Sequence, residues 1–201
     1  MRTFVPRLIE SIKVQDSILY NLPYHEQRMH RACLDLFGQK ATFDLVHSVT
    51  LPPEVQSGLF KCRILYRQSI ESITFTPYYW KPITCLQRVY CNHIDYAYKY
   101  ENRELLQQLA ARRGDCDDVL IIKNGLVTDT SYANVAFSDG EKWYTPAHPL
   151  LPGTQRQRLL DQGLITETVI AESDLSRYSF FQVMNAFHDL GDSVSSTEHI
   201  V

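Results

Sequence analysis

The sequence predicts an α+β fold in two domains, residues 1–85 and 86–201, because strand-like and helix-like patterns alternate along it. Residues 7–14 and 18–20 alternate apolar and polar side chains about a polar turn, which is typical of a β-hairpin. Residues 24–37 instead place apolar side chains at helical spacing, which predicts an amphipathic helix. A length of 201 residues, 44% of them hydrophobic, suits one large domain or two small ones.

Turn signals define the rest of the first domain. Gly38 ends the predicted helix, since glycine adopts the left-handed conformation that often terminates helices. Pro52 and Pro53 open a short helix, because proline is favoured in the first helical turn. Residues 59–66 and 70–77 are predicted as two strands separated by a short polar link.

The second domain is predicted to be a larger mixed unit. A helix covers residues 101–112, and residues 119–122 form a continuous apolar strand. Asn124-Gly125 is a strong hairpin signal, so the chain returns beside that strand. The further predicted elements are a hairpin of 134–137 and 142–144, a helix from 153 to 160, strands at 165–170 and 180–185, and a helical turn at 172–177. The polar last ten residues are expected to be disordered.

The composition excludes several classes of function. A formal net charge of −3 offers no basic surface for nucleic acid or an acidic membrane. The N-terminus has no apolar run of the length of a signal peptide, and no stretch is long enough to span a bilayer. A cytoplasmic protein is therefore expected.

The five cysteines are expected to be buried, small apolar side chains. Their odd number and wide spacing argue against a disulfide framework. Cys91 and His93 are close in sequence, but the further ligands that a zinc site needs are missing nearby. No metal site is predicted.

Lys99 is the first residue that indicates chemistry. It lies just before the helix predicted over 101–112, close in sequence to three tyrosines, Tyr96, Tyr98 and Tyr100. A lysine that forms a Schiff base must be deprotonated, which requires partial burial or a cationic neighbour. These surroundings alone favour an ordinary exposed lysine at a helix entry, so Lys99 gains significance only from motifs elsewhere.

Two downstream motifs are the other candidates for a functional site. Residues 127–135 place the acidic Asp129 before small residues, then Asn134 before an apolar strand. Residues 150–156 place Gly153 at a helix entry with an arginine three positions on. Taken singly, Asp129 is interpreted as a turn residue and the glycine as an ordinary helix start.

Together with Lys99, the segment 24–29 and Asn185-Ala186, these motifs resemble the class IV aminotransferase family in order and spacing, over nearly the whole chain. The resemblance implies the two-domain, D-amino acid aminotransferase-like architecture of fold type IV enzymes. Those enzymes bind pyridoxal 5′-phosphate (PLP) in the cleft between domains and are typically homodimers. The resemblance thus implies a PLP enzyme acting on a small-molecule amine.

The resemblance also assigns roles. Lys99 would form the Schiff base with the PLP aldehyde and then act as the base at the substrate carbon. Asp129 would keep the pyridine nitrogen protonated, and Arg28 would contact the phosphate together with backbone N–H groups at a helix N-terminus. The implied cofactor-binding residues are Arg28, Lys99, Asp129, Asn134, Gly153, Thr154 and Gln155.

The sequence departs from the family pattern at several points. Asp129 stands where glutamate is usual, and Glu104 stands where branched-chain transaminases have a tyrosine. The Asn-Arg pair that follows in the run 99–103, and Asn185-Ala186, resemble the aminodeoxychorismate lyases. The chain also lacks the additional strand and loop that family members have before the segment equivalent to 10–12.

Three functions follow from the resemblance. The leading one is a lyase that converts 4-amino-4-deoxychorismate to 4-aminobenzoate and pyruvate, because aromatisation drives the reaction and tolerates Asp129. The second is a branched-chain or D-amino acid transaminase, with the substrate carboxylate held by Arg88, Arg103 or Arg177, among which the sequence does not choose. The third is a relative that binds PLP without catalysis.

Overall fold

A computed structural model describes residues 5–39 and 43–201, and the chain divides into two compact units. The first comprises the chain up to Trp80 together with Tyr98–Asn102, and the second comprises Lys81–Ala97 and Arg103–Val201. The sequence placed the division at 85/86, with Lys99 in the second domain. The structure instead assigns Lys99 to the first unit, because its short segment pairs with the first strand.

The first unit contains a four-stranded antiparallel sheet. Its strands are β1 (Leu8–Gln15), β2 (Ile18–Leu19), β3 (Leu59–Tyr66) and β4 (Ile70–Pro77), in the order β2-β1-β3-β4. Asp16 and Ser17 turn the chain between β1 and β2 with positive φ angles of 49° and 67°. The predicted hairpin and both predicted strands are confirmed.

Helix α1 (Leu22–Phe37) packs against one face of this sheet, followed by α2 (Leu45–Ser48) and a single 3-10 turn at Pro53–Val55. α1 ends as predicted at Gly38, whose φ of 65° is left-handed and whose N–H donates to the Leu34 carbonyl. Met29, Ala32 and Cys33 line its buried face. The two prolines open only a 3-10 turn, and α2 was not predicted.

The two faces of the first sheet differ in character. One face contributes Leu8, Ile12, Val14, Cys62 and Ile64 to the apolar core beneath α1. Since side chains alternate along a strand, the residues between them project from the other face. That second face, here called the polar face, carries the polar residues Arg7, Ser11, Lys13, Lys61, Arg63, Thr74, Thr76, Lys99 and Glu101, together with the buried apolar pair Ile9 and Leu65.

The second unit is an eight-stranded mixed sheet with two helices. Its elements are β5 (Leu86–Tyr90), α3 (Glu104–Ala110), β6 (Asp118–Lys123), β7 (Leu126–Thr130), β8 (Asn134–Ser138), β9 (Trp143–Pro146), α4 (Thr154–Asp161), β10 (Thr166–Thr168), β11 (Phe180–Met184) and β12 (Ser195–Ser196). The sheet runs β10-β9-β8-β7-β6-β5, and β11 joins it through β8 and β12. Every helix and strand predicted here is present, with shifted ends.

Strand β8 organises this sheet. All five of its residues are buried, and β11 pairs with it antiparallel along its whole length. β9 joins it at Phe137 and Ser138, whereas β7 joins it through the pair Asp129 and Asn134. Asp129 and Asn134 are thus cross-strand neighbours at the N-terminal end of β8, which is fully buried.

Two sequence-based expectations are wrong in this unit. Cys85 and Cys116 form a disulfide, whereas all five cysteines were expected to be unpaired. The last ten residues are ordered, because Ser195 and Ser196 pair with β11 and Ile200 packs into the core. Both depend on contacts distant in sequence. Among the described residues, no helix is long and apolar enough to cross a membrane.

Candidate functional site

Lys99 is held by the first strand of the chain. Its carbonyl accepts a hydrogen bond from the Ile9 N–H at 2.9 Å, and the Glu101 N–H donates to the Arg7 carbonyl at 2.8 Å. Leu8 and Tyr100 consequently face each other in an antiparallel bridge. The segment Tyr98–Asn102 therefore extends the sheet of the first unit at the edge that β2 also occupies.

The side chain of Lys99 belongs to the polar face. Tyr98 and Tyr100 pack on the apolar core, so the residue between them points to the opposite side. Glu101 supports this assignment, because its carboxylate meets Arg7 Nε at 3.2 Å and Arg63 Nη2 at 3.4 Å on that same side. Lys99 is half-buried.

Arg28 lies on the other side of the sheet. Its Nη2 and Nε donate to the two carboxylate oxygens of Glu10 at 2.5 and 2.9 Å, and His25 Nδ1 bonds Glu10 at 2.7 Å. Glu10 and His25 are completely buried. Burial alone would raise the pKa of Glu10, but the Arg28 charge and the His25 hydrogen bond outweigh it and lower the pKa to about 2.

This ion pair bears on the predicted role of Arg28. Its guanidinium compensates a buried carboxylate between α1 and β1. Burial lowers the pKa of His25, against the hydrogen bond and charge of Glu10, and the charges of Arg28 and Lys99 lower it further. The charge of Lys99 thus reaches the cluster that holds Arg28, and a phosphate contact for Arg28 stays a prediction. The pairing of Glu10 with Arg28 was not predicted, because a buried glutamate inside an apolar strand is recognised only once its cation is found.

Asp129 is the central residue of the second unit's motif. Asn134 Nδ2 donates to its Oδ1 at 2.7 Å, and the Leu151 N–H donates to its Oδ2 at 2.9 Å. Burial raises the pKa of Asp129 to about 6, and the two hydrogen bonds oppose part of that rise. The carboxylate thus lacks a full counter-charge and would gain from a cation placed beside it.

Gly153 is required by the side chain of Asn134. A Cβ built on Gly153 would lie 2.0 Å from Asn134 Oδ1, a distance that no side chain tolerates. The same amide donates through Nδ2 to the Leu151 carbonyl at 2.8 Å. Asn134 therefore fixes residues 151–153 against β7, and the predicted residues Asp129, Asn134 and Gly153 form one cluster.

Helix α4 begins directly after Gly153. Its N-cap has no side-chain hydrogen bond, and its first turn carries no acidic residue. The first N–H groups of a helix have no intrahelical acceptors, so this N-terminus is suited to an anion. Thr154 and Gln155 are buried there, and the Gln155 side chain donates to Asp189 Oδ1 at 2.7 Å.

Two polar residues near the motif were not predicted. Asp118 accepts the Ser131 N–H at 3.1 Å, and burial raises its pKa. The Thr130 hydroxyl donates to the Ala133 carbonyl at 3.1 Å and closes the turn between β7 and β8. The Asp-Thr-Ser run of the motif carried a turn signal for this arrangement, since Ser and Thr hydroxyls often bond nearby backbone groups.

The three arginines considered for a substrate carboxylate have partners within the second unit. Arg88 meets Glu172 at 3.4 Å, and Arg177 meets Asp174 at 3.5 Å. Arg103 Nη2 donates to the Ser131 carbonyl at 2.8 Å. Buried Nε of Arg103 has no hydrogen-bond partner among residues 5–39 and 43–201, so of the three it retains the most unused donor capacity.

Comparison with known proteins identifies the class. Residues 68–192 match the model of amino-transferase class IV. An uncharacterized protein of Haemophilus influenzae is 38% identical over 185 residues, which cover 91% of this chain and 98% of that protein. The chain belongs to the class IV aminotransferase family.

Solved structures of similar fold support the same family. A crystal structure from Haemophilus somnus 129PT, described as a "putative 4-amino-4-deoxychorismate lyase", is 34% identical, with a TM-score of 0.87 over 94% of this chain and 100% of that one. A PLP-bound hypothetical aminotransferase from Mycobacterium tuberculosis has a TM-score of 0.73 at 16% identity, over 90% of this chain and 78% of that one, and shows the fold alone. The predicted fold type IV architecture is confirmed.

Proposed function

We propose that this protein is a PLP-dependent lyase that converts 4-amino-4-deoxychorismate to 4-aminobenzoate and pyruvate. The observation that carries the proposal is the match, over all of that chain, to the Haemophilus somnus protein described as such a lyase. The Asn-Arg pair that follows in the run 99–103 is consistent with it. The reaction balances without a further reactant. The ring loses one proton and the enolpyruvyl group, which together leave as pyruvate, and the ring becomes aromatic.

The residues of each unit fit PLP by their chemistry. Lys99 would hold the aldehyde carbon, and the buried Asp129 would hold the proton on the pyridine nitrogen. The uncapped N-terminus of α4 would receive the phosphate through the backbone at Gly153, Thr154 and Gln155. When bound, PLP supplies an electron sink for the carbon that loses a proton.

Lys99 would perform the proton transfer. Its free, neutral amine would remove the proton from the ring carbon of the substrate. Asn134 would act through Asp129, because its amide fixes the orientation of that carboxylate.

Asp129 is the residue that favours a lyase over a transaminase. A shorter side chain than the usual glutamate reaches less far toward the ring nitrogen and stabilises its proton less. Aromatisation of the product supplies its own driving force, so a weaker electron sink suffices. A transaminase must move protons reversibly between two carbons and depends more heavily on that sink.

A spectroscopic experiment tests the cofactor assignment. Purified protein with added PLP is expected to develop a visible absorbance band, and borohydride should attach the cofactor to the peptide that contains Lys99. Lys99→Ala should show neither, whereas Lys142→Ala, which removes an exposed lysine, should behave as wild type. A wild type without the band, or an equal adduct in Lys99→Ala, contradicts the assignment.

Product analysis then separates the reactions. A lyase releases 4-aminobenzoate, detected by its fluorescence, and an equal amount of pyruvate, detected by coupled reduction to lactate. A transaminase instead converts bound PLP to the pyridoxamine form on adding an amino acid. Cofactor attachment at Lys99 with neither activity would identify a non-catalytic relative.

We also propose that the enzyme is a homodimer, as is typical of fold type IV enzymes. Sedimentation equilibrium of the PLP-loaded protein tests this. A mass near twice 23.3 kDa is expected. A single-chain mass at micromolar concentration would exclude it.

A further inference from the structure

Cys85 and Cys116 lie just before two adjacent parallel strands of the second unit. Their Cα atoms are 4.8 Å apart, and their sulfur atoms are bonded to each other. Leu86 and Asp118, which open β5 and β6, are direct partners in the parallel register. The disulfide therefore joins neighbouring strands at their N-terminal ends.

Hydrogen bonds hold the two cysteines together independently of the disulfide. Asp117 Oδ2 accepts from the Thr84 N–H at 2.7 Å, from the Thr84 hydroxyl at 2.9 Å and from the Cys85 N–H at 3.1 Å. The Asp117 N–H donates to the Cys85 carbonyl at 3.2 Å. Because these bonds do not involve sulfur, the pair stays together when it is reduced, and the disulfide can form and break without unfolding of this region.

Cys85 and Cys116 differ from the free cysteines in their access to small reagents. Cys116 is buried, but Cys85 is only half-buried, so a small thiol or disulfide can reach the bond through it. Burial raises the pKa of the free thiols Cys33 and Cys62 to about 11 and about 12. Those two thiols therefore stay protonated and unreactive, since the thiolate is the nucleophile.

The strand end that carries the disulfide also supports the Asp129 motif. Asp118 follows Cys116 by two positions, and its carboxylate accepts the Ser131 N–H at 3.1 Å. The Ser131 carbonyl accepts from Arg103 Nη2 at 2.8 Å. Ser131 follows Asp129 by two positions, so the placement of Asp118 bears directly on the turn that succeeds this buried acid.

We propose that Cys85 and Cys116 form a reversible thiol–disulfide switch, which tightens the Asp118–Ser131 contact when the pair is oxidised. The oxidant is a small disulfide such as oxidised glutathione. The Cys85 thiolate attacks it and releases one glutathione, and the Cys116 thiolate then attacks the Cys85 sulfur and releases the second. Two protein thiols and one oxidised glutathione thus give one protein disulfide and two glutathione thiols, which take up the two protons.

A redox titration of the folded, PLP-free protein tests reversibility. The protein is equilibrated with mixtures of reduced and oxidised glutathione, and its free thiols are alkylated and counted by mass spectrometry. We expect the same curve from the oxidised and the reduced starting material, with an unchanged circular dichroism spectrum. Cys91→Ser, which removes a free cysteine outside the pair, should give that curve too. A pair that is reduced only after the protein is unfolded, or that oxidised glutathione never joins, would overturn the switch.

Hydrogen exchange followed by mass spectrometry tests the coupling to the Asp129 motif. Amides of residues 129–134 should exchange about fivefold more slowly in the oxidised protein than in the reduced protein. Strand β10, at the opposite end of the sheet from β5, should exchange equally in both and serves as the internal control. Cys85→Ser and Cys116→Ser should each match the reduced wild type in either buffer. Equal exchange of residues 129–134 in the two redox states contradicts the proposed coupling.

PLP affinity gives a readout that rests on the proposed function, because Asp129 is the residue proposed to hold the pyridine nitrogen. After removal of glutathione, the oxidised protein should bind PLP about fivefold more tightly than the reduced protein. Equal affinities would contradict control of the cofactor site.

The switch and the proposed function fail separately. If no band forms at Lys99, the proposed function fails, while the titration and hydrogen exchange of PLP-free protein still decide the switch. If the band forms but neither the thiols nor the exchange rates respond to glutathione, the PLP assignment stands and the switch is wrong.

Discussion

Asn134 donates its side-chain amide to Asp129 at 2.7 Å, and the same two residues are the Cα pair through which β7 and β8 are joined. The amide also bonds the Leu151 carbonyl, while its oxygen occupies the space where a Gly153 side chain would lie. One asparagine thus fixes a buried acid and a helix entry together.

Gly153→Ala is expected to destabilise the protein. Backbone strain is not the reason, since Gly153 has a φ of −74° that alanine adopts readily. The new Cβ would collide with the Asn134 amide, and overpacking of this kind costs about 1–3 kcal/mol. Chemical denaturation measures the change in the free energy of unfolding.

A double-mutant cycle tests the cause. Asn134→Ala removes the atom that the new methyl group meets, so adding Gly153→Ala to it should cost at least about 1 kcal/mol less than in wild type. Strictly additive effects would mean that the collision occurs elsewhere. PLP affinity, followed by absorbance, should fall in both single variants.

Glu10 is expected to make the protein sensitive to acid. Its folded pKa of about 2 lies below the ordinary 4.5, so its stabilising contribution is complete above pH 4.5 and is lost as the pH falls toward 2. The loss amounts to about 3 kcal/mol. The contribution of Glu10 is obtained by measuring the free energy of unfolding of wild type and of Glu10→Gln across this pH range and taking the difference. A difference that does not change with pH would contradict the buried ion pair.

Arg28→Lys separates two roles for the arginine. Loss of the two-point contact with Glu10 is expected to lower stability, because lysine cannot bond both carboxylate oxygens in the same way. Affinities for PLP and for pyridoxal, which lacks the phosphate, are then compared. A phosphate contact by Arg28 requires the variant to weaken PLP selectively, whereas an equal effect on both ligands limits Arg28 to the ion pair.

Asp129 is expected to make the protein less stable as the pH rises, whereas Glu10 makes it less stable as the pH falls. Its folded pKa of about 6 lies above the ordinary 3.8, so the protonated form is favoured in the fold, and stability is lost as the pH rises through this range. Between pH 4 and pH 7, the free energy of unfolding of wild type should therefore fall by about 3 kcal/mol relative to that of Asp129→Asn. Measurements on PLP-free protein avoid compensation by the cofactor, and no pH dependence would contradict burial of an uncompensated carboxylate.

The cysteines give a direct chemical count. Of the five, Cys33, Cys62 and Cys91 are free, and Cys85 is paired with Cys116. Unfolded, unreduced protein should therefore release three thiols to a colorimetric reagent, and reduced protein five. The Cys85→Ser and Cys116→Ser double variant should show three under both conditions. Five thiols before reduction would show that the bond does not form.

Local patterns predicted much of the fold. Both strands β3 and β4 were predicted with their observed bounds, and α1 with its end at Gly38, because periodicity and glycine are short-range signals. Asp129, Asn134 and Gly153 were each predicted as cofactor-binding residues, but their contact with one another was not predicted, because it joins a strand pair to a helix entry about twenty residues further on. The disulfide and the ordered C-terminus were missed, because their partners are far away in sequence.

The sequence by itself determined the strands, the helices and the residue types of a class IV aminotransferase, because each depends on neighbours within a few positions. Tertiary structure alone decided that Lys99 joins the first unit and that Arg28 is bound to Glu10 on the opposite face of the same sheet. It also decided that Lys13 is opposed to Lys61. Strand pairing sets which face a side chain occupies and which charges meet, and pairing between distant segments is not encoded in any single stretch of sequence.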